Sequence, residues 1–261
     1  MPNADLAVIL QVLQVISLLG AAALASKLFA TGLWKHYPIF FLYLVFRIPN
    51  TAWPLLLNTS SNLYQKVWML TEPIAWIFHV LIVIELYRLV LSKHRGIYTL
   101  GRWVMYGALA VAITISILSL LPHIKPHMPQ QTKYMGYEFA INRGTHFALA
   151  VFLLVMLFLG SRFPMALSRN VLVHAAIYTA FFLADSLAMF LRTLFGLAGS
   201  NAISACVVAL QCACLAAWLI LLNAHGEEVR TNFPAISPQR ERNALRQLES
   251  LNATLLKASG K

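Results

Sequence analysis

Charge is what this sequence has least of. Asp, Glu, Lys and Arg together make up 11% of its 261 residues, against roughly 25% in a soluble domain. A soluble globule of this size is excluded, because too little polar surface exists to cover its core. Acid is scarcer than base, with 9 Asp and Glu against 20 Lys and Arg and a net charge of +11. The cations nevertheless fall between apolar runs or near the C-terminus and form no long basic stripe, which excludes a nucleic-acid binder. Cysteine is nearly missing. Cys206, Cys212 and Cys214 all lie in one apolar run without CxxC spacing, so there is no disulfide framework and they read as small packing residues. Gly (12) and Pro (11) are at ordinary levels, which excludes collagen-like and low-complexity chains. Apolar residues, at 59% with a mean hydropathy of +0.70, are what is abundant. The expected class is an all-α polytopic membrane protein, a multi-pass resident of the cell membrane and of the inner membrane if the source is bacterial.

A helix needs about 20 mostly apolar residues to cross a core of roughly 30 Å. Seven runs fit: Leu6–Ser26, Pro38–Leu57, Val67–Leu91, Trp103–Leu121, Thr145–Gly160, Asn170–Leu191 and Asn201–Asn223. The segment before the first run carries no Lys or Arg, so it lacks the basic region of a signal peptide and reads as a retained helix. Lys27, Lys35, Arg88, Lys93, Arg95, Arg102, Arg162, Arg169 and the C-terminal cations all fall on one side of such a bundle. The positive-inside rule therefore sets the N-terminus outside and the C-terminus in the cytoplasm. Residues 1–223 form the seven-helix domain, 224–236 a linker, and 237–261 an amphipathic or coiled-coil helix. Ser237 would cap that helix and Pro238 would open it. Its stripe of Ala244, Leu248, Leu251 and Leu255 offers a homodimer contact or a dock for a cytoplasmic signalling partner. The bilayer itself is the other partner. No internal repeat is visible.

Ionisable groups inside apolar runs are costly, and each is a functional hypothesis. Arg47 sits mid-run between Phe46 and Ile48, with Pro49 and Pro54 just beyond. Glu72, Trp76 and His79 follow at i, i+4 and i+7, one helical face. Their combination suits a small cationic or amphipathic ligand. Tyr178 and Asp185 share a second stripe with His174 and Arg192. The expectation is that Arg47 pairs with Asp185 or Glu72, and that Glu85 pairs with Arg88 one turn on. Ala205, Ala209, Ala213 and Ala217 suggest a close helix contact.

No catalytic set is expected. No lysine occurs in the last run for a retinal Schiff base, and Gly199-Ser200-Asn201 lacks a base. His79, His146 and His174 fall at middle, outer and inner depths, too spread for one metal; two of them could ligate a haem, but no pair is clearly matched in depth. His123, His127 and Met128 in the Pro-rich segment at 122–129 read as a solvated loop. No cofactor is expected. In architecture, not motif, the chain is similar to the seven-helix sensing modules that precede bacterial output domains, with a tail that ends before such a domain. That resemblance implies a receptor-like or scaffolding protein acting through a partner. A small-solute or ion transporter using Arg47, Glu72, His79 and Asp185 is the alternative; a membrane enzyme or haem protein is the third reading.

Overall fold

The computed structural model describes residues 2–56, 62–91, 95–120, 130–162, 168–195 and 200–227. Seven α-helices account for nearly all of them: α1 (Pro2–Ala30), α2 (Pro38–Leu56), α3 (Asn62–Leu91), α4 (Arg95–Leu120), α5 (Gln130–Arg162), α6 (Arg169–Phe195) and α7 (Ser200–Leu221). Two short 3-10 turns, Leu33–Lys35 and Ala224–Glu227, follow α1 and α7, and no strand occurs among the described residues. The segment holding His123, His127 and Met128, the Gly196–Gly199 turn and the expected helix at 237–261 lie outside the described residues.

Six helices are long and apolar enough to cross a membrane, over Val8–Ala30, Pro38–Leu56, Lys66–Val90, Gly136–Phe158, Arg169–Arg192 and Ala202–Leu221. The apolar stretch found in α4 is the shorter Met105–Ile115. Large apolar side chains such as Leu19, Leu70, Phe158 and Ile220 stand exposed on the outside of the bundle. Water would penalise such a surface and lipid would not. The chain is a helical, membrane-embedded protein in its build.

Each helix packs against its neighbours in sequence, and α1 closes the ring on α7. α3 also reaches across to α5 and α6. Interhelical bonds set the directions. Lys27 near the end of α1 donates to the Leu219 and Leu222 carbonyls that end α7, and Asn170 at the start of α6 donates to the Asn223 carbonyl. These meet at one end of the bundle, called here the tail end because residue 227 leads out of it. Arg192 at the end of α6 meets Ser204 at the start of α7 at the opposite end. Lys27 placed on orphan C-terminal carbonyls also complements the α7 dipole.

Glu85 departs from expectation. Its carboxylate does not pair with the exposed Arg88 but crosses to α2, accepting from the Ile39 and Phe40 N–H groups at 2.9 and 3.2 Å. Pro38 opens α2 and leaves those donors orphaned, and an acidic side chain from α3 satisfies them. Glu85→Ala should cost about 1–2 kcal/mol, the usual price of a lost N-cap, read as a lower Tm in detergent. An unchanged Tm would show that the cap contributes nothing.

The alanine stripe of α7 is corrected as well. Ala209 and Ala213 are exposed, and the close approach to α1 uses another face, where Gly20 lies against Leu215. A Cβ on Gly20 would stand 3.4 Å from the Leu215 side chain, so the helices touch at glycine rather than along the alanines.

Candidate functional site

A cavity of about 290 Å³ opens among α1, α2, α3, α5, α6 and α7. Glu72, Trp76 and His79 all line it, as one helical face requires. Arg47, Asp185, Asn142, His146, Ser17 and Gln211 complete its polar wall. Trp53, Tyr64 and Trp68 mark its far reach, near the α2–α3 connection. α2 runs as helix through Pro49 and Pro54, and Pro54 itself faces the cavity. Proline at these two positions removes backbone donors from the helical ladder beside the cavity.

Arg47 is buried but has no carboxylate within ion-pair reach among the described residues. Its guanidinium donates to Gln211 Oε1 at 2.9 Å, Ser17 Oγ at 3.2 Å and Tyr43 Oη at 3.4 Å. The expected Arg47–Asp185 or Arg47–Glu72 pair is therefore corrected. α1 packs beside α2 and supplies Ser17, and Gln211 reaches in from α7, so neutral acceptors meet the guanidinium first.

Asp185 is instead held by His146 Nδ1 at 2.6 Å and by Asn142 Nδ2 at 3.2 Å. His146 Nε2 meets His79 Nδ1 at 2.9 Å, and His79 Nε2 meets Tyr43 Oη at 3.1 Å. One proton assignment satisfies the whole chain. Arg47 can only donate, so the Tyr43 oxygen accepts and its hydroxyl donates to His79 Nε2. His79 then carries its proton on Nδ1, passes it toward His146 Nε2, and His146 Nδ1–H faces the Asp185 carboxylate. The result is an unbroken relay with a cation at one end and an anion at the other. A chain of paired buried polar groups of this kind is expected to be rigid.

His146 overturns the expected spread of histidines. It lies beside His79 because α5 starts at Gln130, so position 146 falls inside the bundle rather than at its rim. Glu138, Asn142, Thr145 and His146 are all buried, spaced as one helical stripe. No group of three or more His, Cys, Asp or Glu suited to a metal occurs among the described residues.

Tyr178 and His174 do not join the cavity. They lie toward the tail end with Tyr37, Phe40 and Trp218, the contacting rings having centroids 4.4–6.0 Å apart. Phe182 divides this aromatic cluster from the relay, 5.4 Å from both Tyr178 and His79.

Below that cluster a second polar knot ties down the exit of α7. Glu227 accepts from Tyr37 Oη at 2.7 Å and from Asn170 Nδ2 at 2.6 Å, and Gly226 fits against Asn170. Sequence reading missed these partners, since each sits at a helix end that looks like ordinary loop. Burial, then the Glu227 hydrogen bond and charge, push the Tyr37 hydroxyl well above the usual tyrosine range, with Ser168 opposing. A raised folded value means stability that is intact below about pH 10, the unfolded value, and lost as pH rises beyond it. Wild-type Tm should therefore fall more steeply above about pH 10 than that of Tyr37→Phe. Parallel Tm–pH curves for the two would contradict the burial of this hydroxyl.

No protein family, curated protein or solved structure matches this chain. Function has to be read from the cavity and the two polar knots.

Proposed function

We propose that the protein is a receptor-like module of the cell membrane that binds a small molecule in the cavity and reports it through its C-terminal tail. In this reading seven helices cross the bilayer, the N-terminus is outside, and the cavity is reached from that side. The segment after Glu227 is cytoplasmic and engages a signalling partner or a second copy of the chain.

One observation carries the reading: the cavity and the tail knot are built on the same helices. α2 contributes Arg47 and Tyr43 to the cavity, and Tyr37 just before it binds Glu227. α6 contributes Asp185 to the cavity and Asn170 to the knot. A ligand that favours one arrangement of α2 against α6 thereby biases the hold on Glu227. It can shift that balance only by its difference in affinity for the two arrangements. Limited trypsin cleavage of the tail tests the idea, since Arg230 follows the knot directly. A compound that raises the Tm of wild type, but not of His79→Gln, should change the cleavage rate at Arg230. Unchanged cleavage with such a compound bound would sink the signalling reading.

The mid-bundle position of the polar cavity also favours a second reading, a small-solute or ion transporter. Uptake of the same compound into proteoliposomes separates the two. Topology is tested independently: a reporter after Lys261 should be cytoplasmic and Asn3 external, and the reverse would overturn this orientation.

A further inference from the structure

Three charged side chains line the cavity: Asp185 is held by His146 and Asn142, while the remaining two poles, Arg47 and Glu72, are not each other's partner. Arg47 spends three of its donors on neutral oxygens and has no carboxylate in reach among the described residues. Glu72 lines the same cavity with no cation in ion-pair reach among those residues. It stands between Trp68 and Trp76 at i−4 and i+4 on α3, so the carboxylate and two indoles share one helical face on the cavity. Carboxylate and aromatic faces together are the chemistry that holds an ammonium. A guanidinium with donor capacity left over is the chemistry that holds a carboxylate. On the same cavity wall, Trp76 Nε1 and Asn142 Oδ1, a donor and an acceptor, are buried without a partner among the described residues. Unpaired buried polar atoms are rare in native structures and call for an explanation.

Spacing follows from the helices. Tyr43 and His79 touch, so they share a level. The Arg47 guanidinium reaches back to Tyr43 Oη at 3.4 Å, so its charge lies near that level, whereas Glu72 is seven residues along α3 toward the α2–α3 connection, a rise of about 10 Å. The poles thus differ in depth by several ångström and sit on different walls. An α-amino acid, whose charges are adjacent, is too short to touch both.

We propose that the ligand is a small zwitterion whose ammonium and carboxylate are separated by three or more carbons, the ammonium at Glu72 between the indoles and the carboxylate at Arg47. This rests on the reading of the cavity as a ligand site and names the ligand's class. A single-charge ligand would meet only one of the two poles and leave the other without a counter-charge.

The test is thermal-shift titration of the full chain in detergent with glycine, β-alanine, γ-aminobutyrate and δ-aminovalerate, and with butyrate and butylamine as single-charge controls. The expected result is a Tm rise that grows from glycine to the longer members and is at least tenfold more sensitive to γ-aminobutyrate or δ-aminovalerate than to either control. Glu72→Gln should bring the zwitterion down to the potency of butyrate, and Arg47→Met down to that of butylamine. Both variants are first checked for wild-type elution on gel filtration. Where one fails, Trp68→Leu takes its place, keeping both charges and weakening only the ammonium side. Equal response to zwitterion and controls overturns the proposal. So does an uncharged compound whose effect depends on His79 and Arg47, and that outcome leaves the cavity reading standing. No compound of any class acting through these residues overturns both.

Discussion

Replacing Asp185 with alanine should lower the stability of the detergent-solubilised protein by about 3–5 kcal/mol, the scale for removing one partner of a buried charged network. The carboxylate accepts from both His146 and Asn142, and all three residues are buried. Its loss leaves two donors without a partner and removes the anion that balances Arg47 at the other end of the relay. Asp185→Asn keeps the volume and one acceptor oxygen, so its cost should be clearly smaller. Denaturant or thermal unfolding of the three proteins measures this directly. A loss below about 1 kcal/mol for Asp185→Ala, the range of a surface pair, would mean that the relay does not hold the bundle together.

Gly226→Ala is the second large effect, expected at about 2–4 kcal/mol from overpacking and lost hydrogen bonds. A Cβ at this position would overlap Asn170 Oδ1 and stand 2.7 Å from its Cγ. Asn170 is fully buried and already bonded to Glu227 and to the Asn223 carbonyl, so it cannot yield without breaking the tail knot. The variant should lose stability and also expose Arg230 to trypsin faster than wild type. Wild-type Tm together with wild-type cleavage would show that the knot does not restrain the tail.

Much of this arrangement was legible in the residues themselves. Apolar runs and the shortage of charge define a helical membrane-embedded protein, and helical periodicity alone puts Glu72, Trp76 and His79 on the wall of one cavity. Partner choice was not legible. Depth brought Arg47 and Asp185 to comparable levels, but lateral order around the ring decides contact, and Gln211 and Ser17 stand nearer to Arg47. The start of α5 was misplaced because Glu138, Asn142 and Arg143 lower local hydropathy. The burial of Glu138, Asn142, Thr145 and His146 shows that the polarity there is one inward stripe. Reading that stripe at i, i+4, i+7 and i+8 would have brought His146 to His79. The tail knot had no such signal. Tyr37, Asn170 and Glu227 are distant in sequence and fall at three separate helix ends.

The central claim is that the polar wall around Glu72 and His79 binds a ligand and is not only a lock for the bundle. A metabolite library screened by thermal shift on wild type, followed by every hit on Glu72→Gln and His79→Gln, tests it most directly. The account predicts at least one hit whose stabilisation disappears in both variants while each still unfolds cooperatively. Hits that shift all three proteins equally would contradict it.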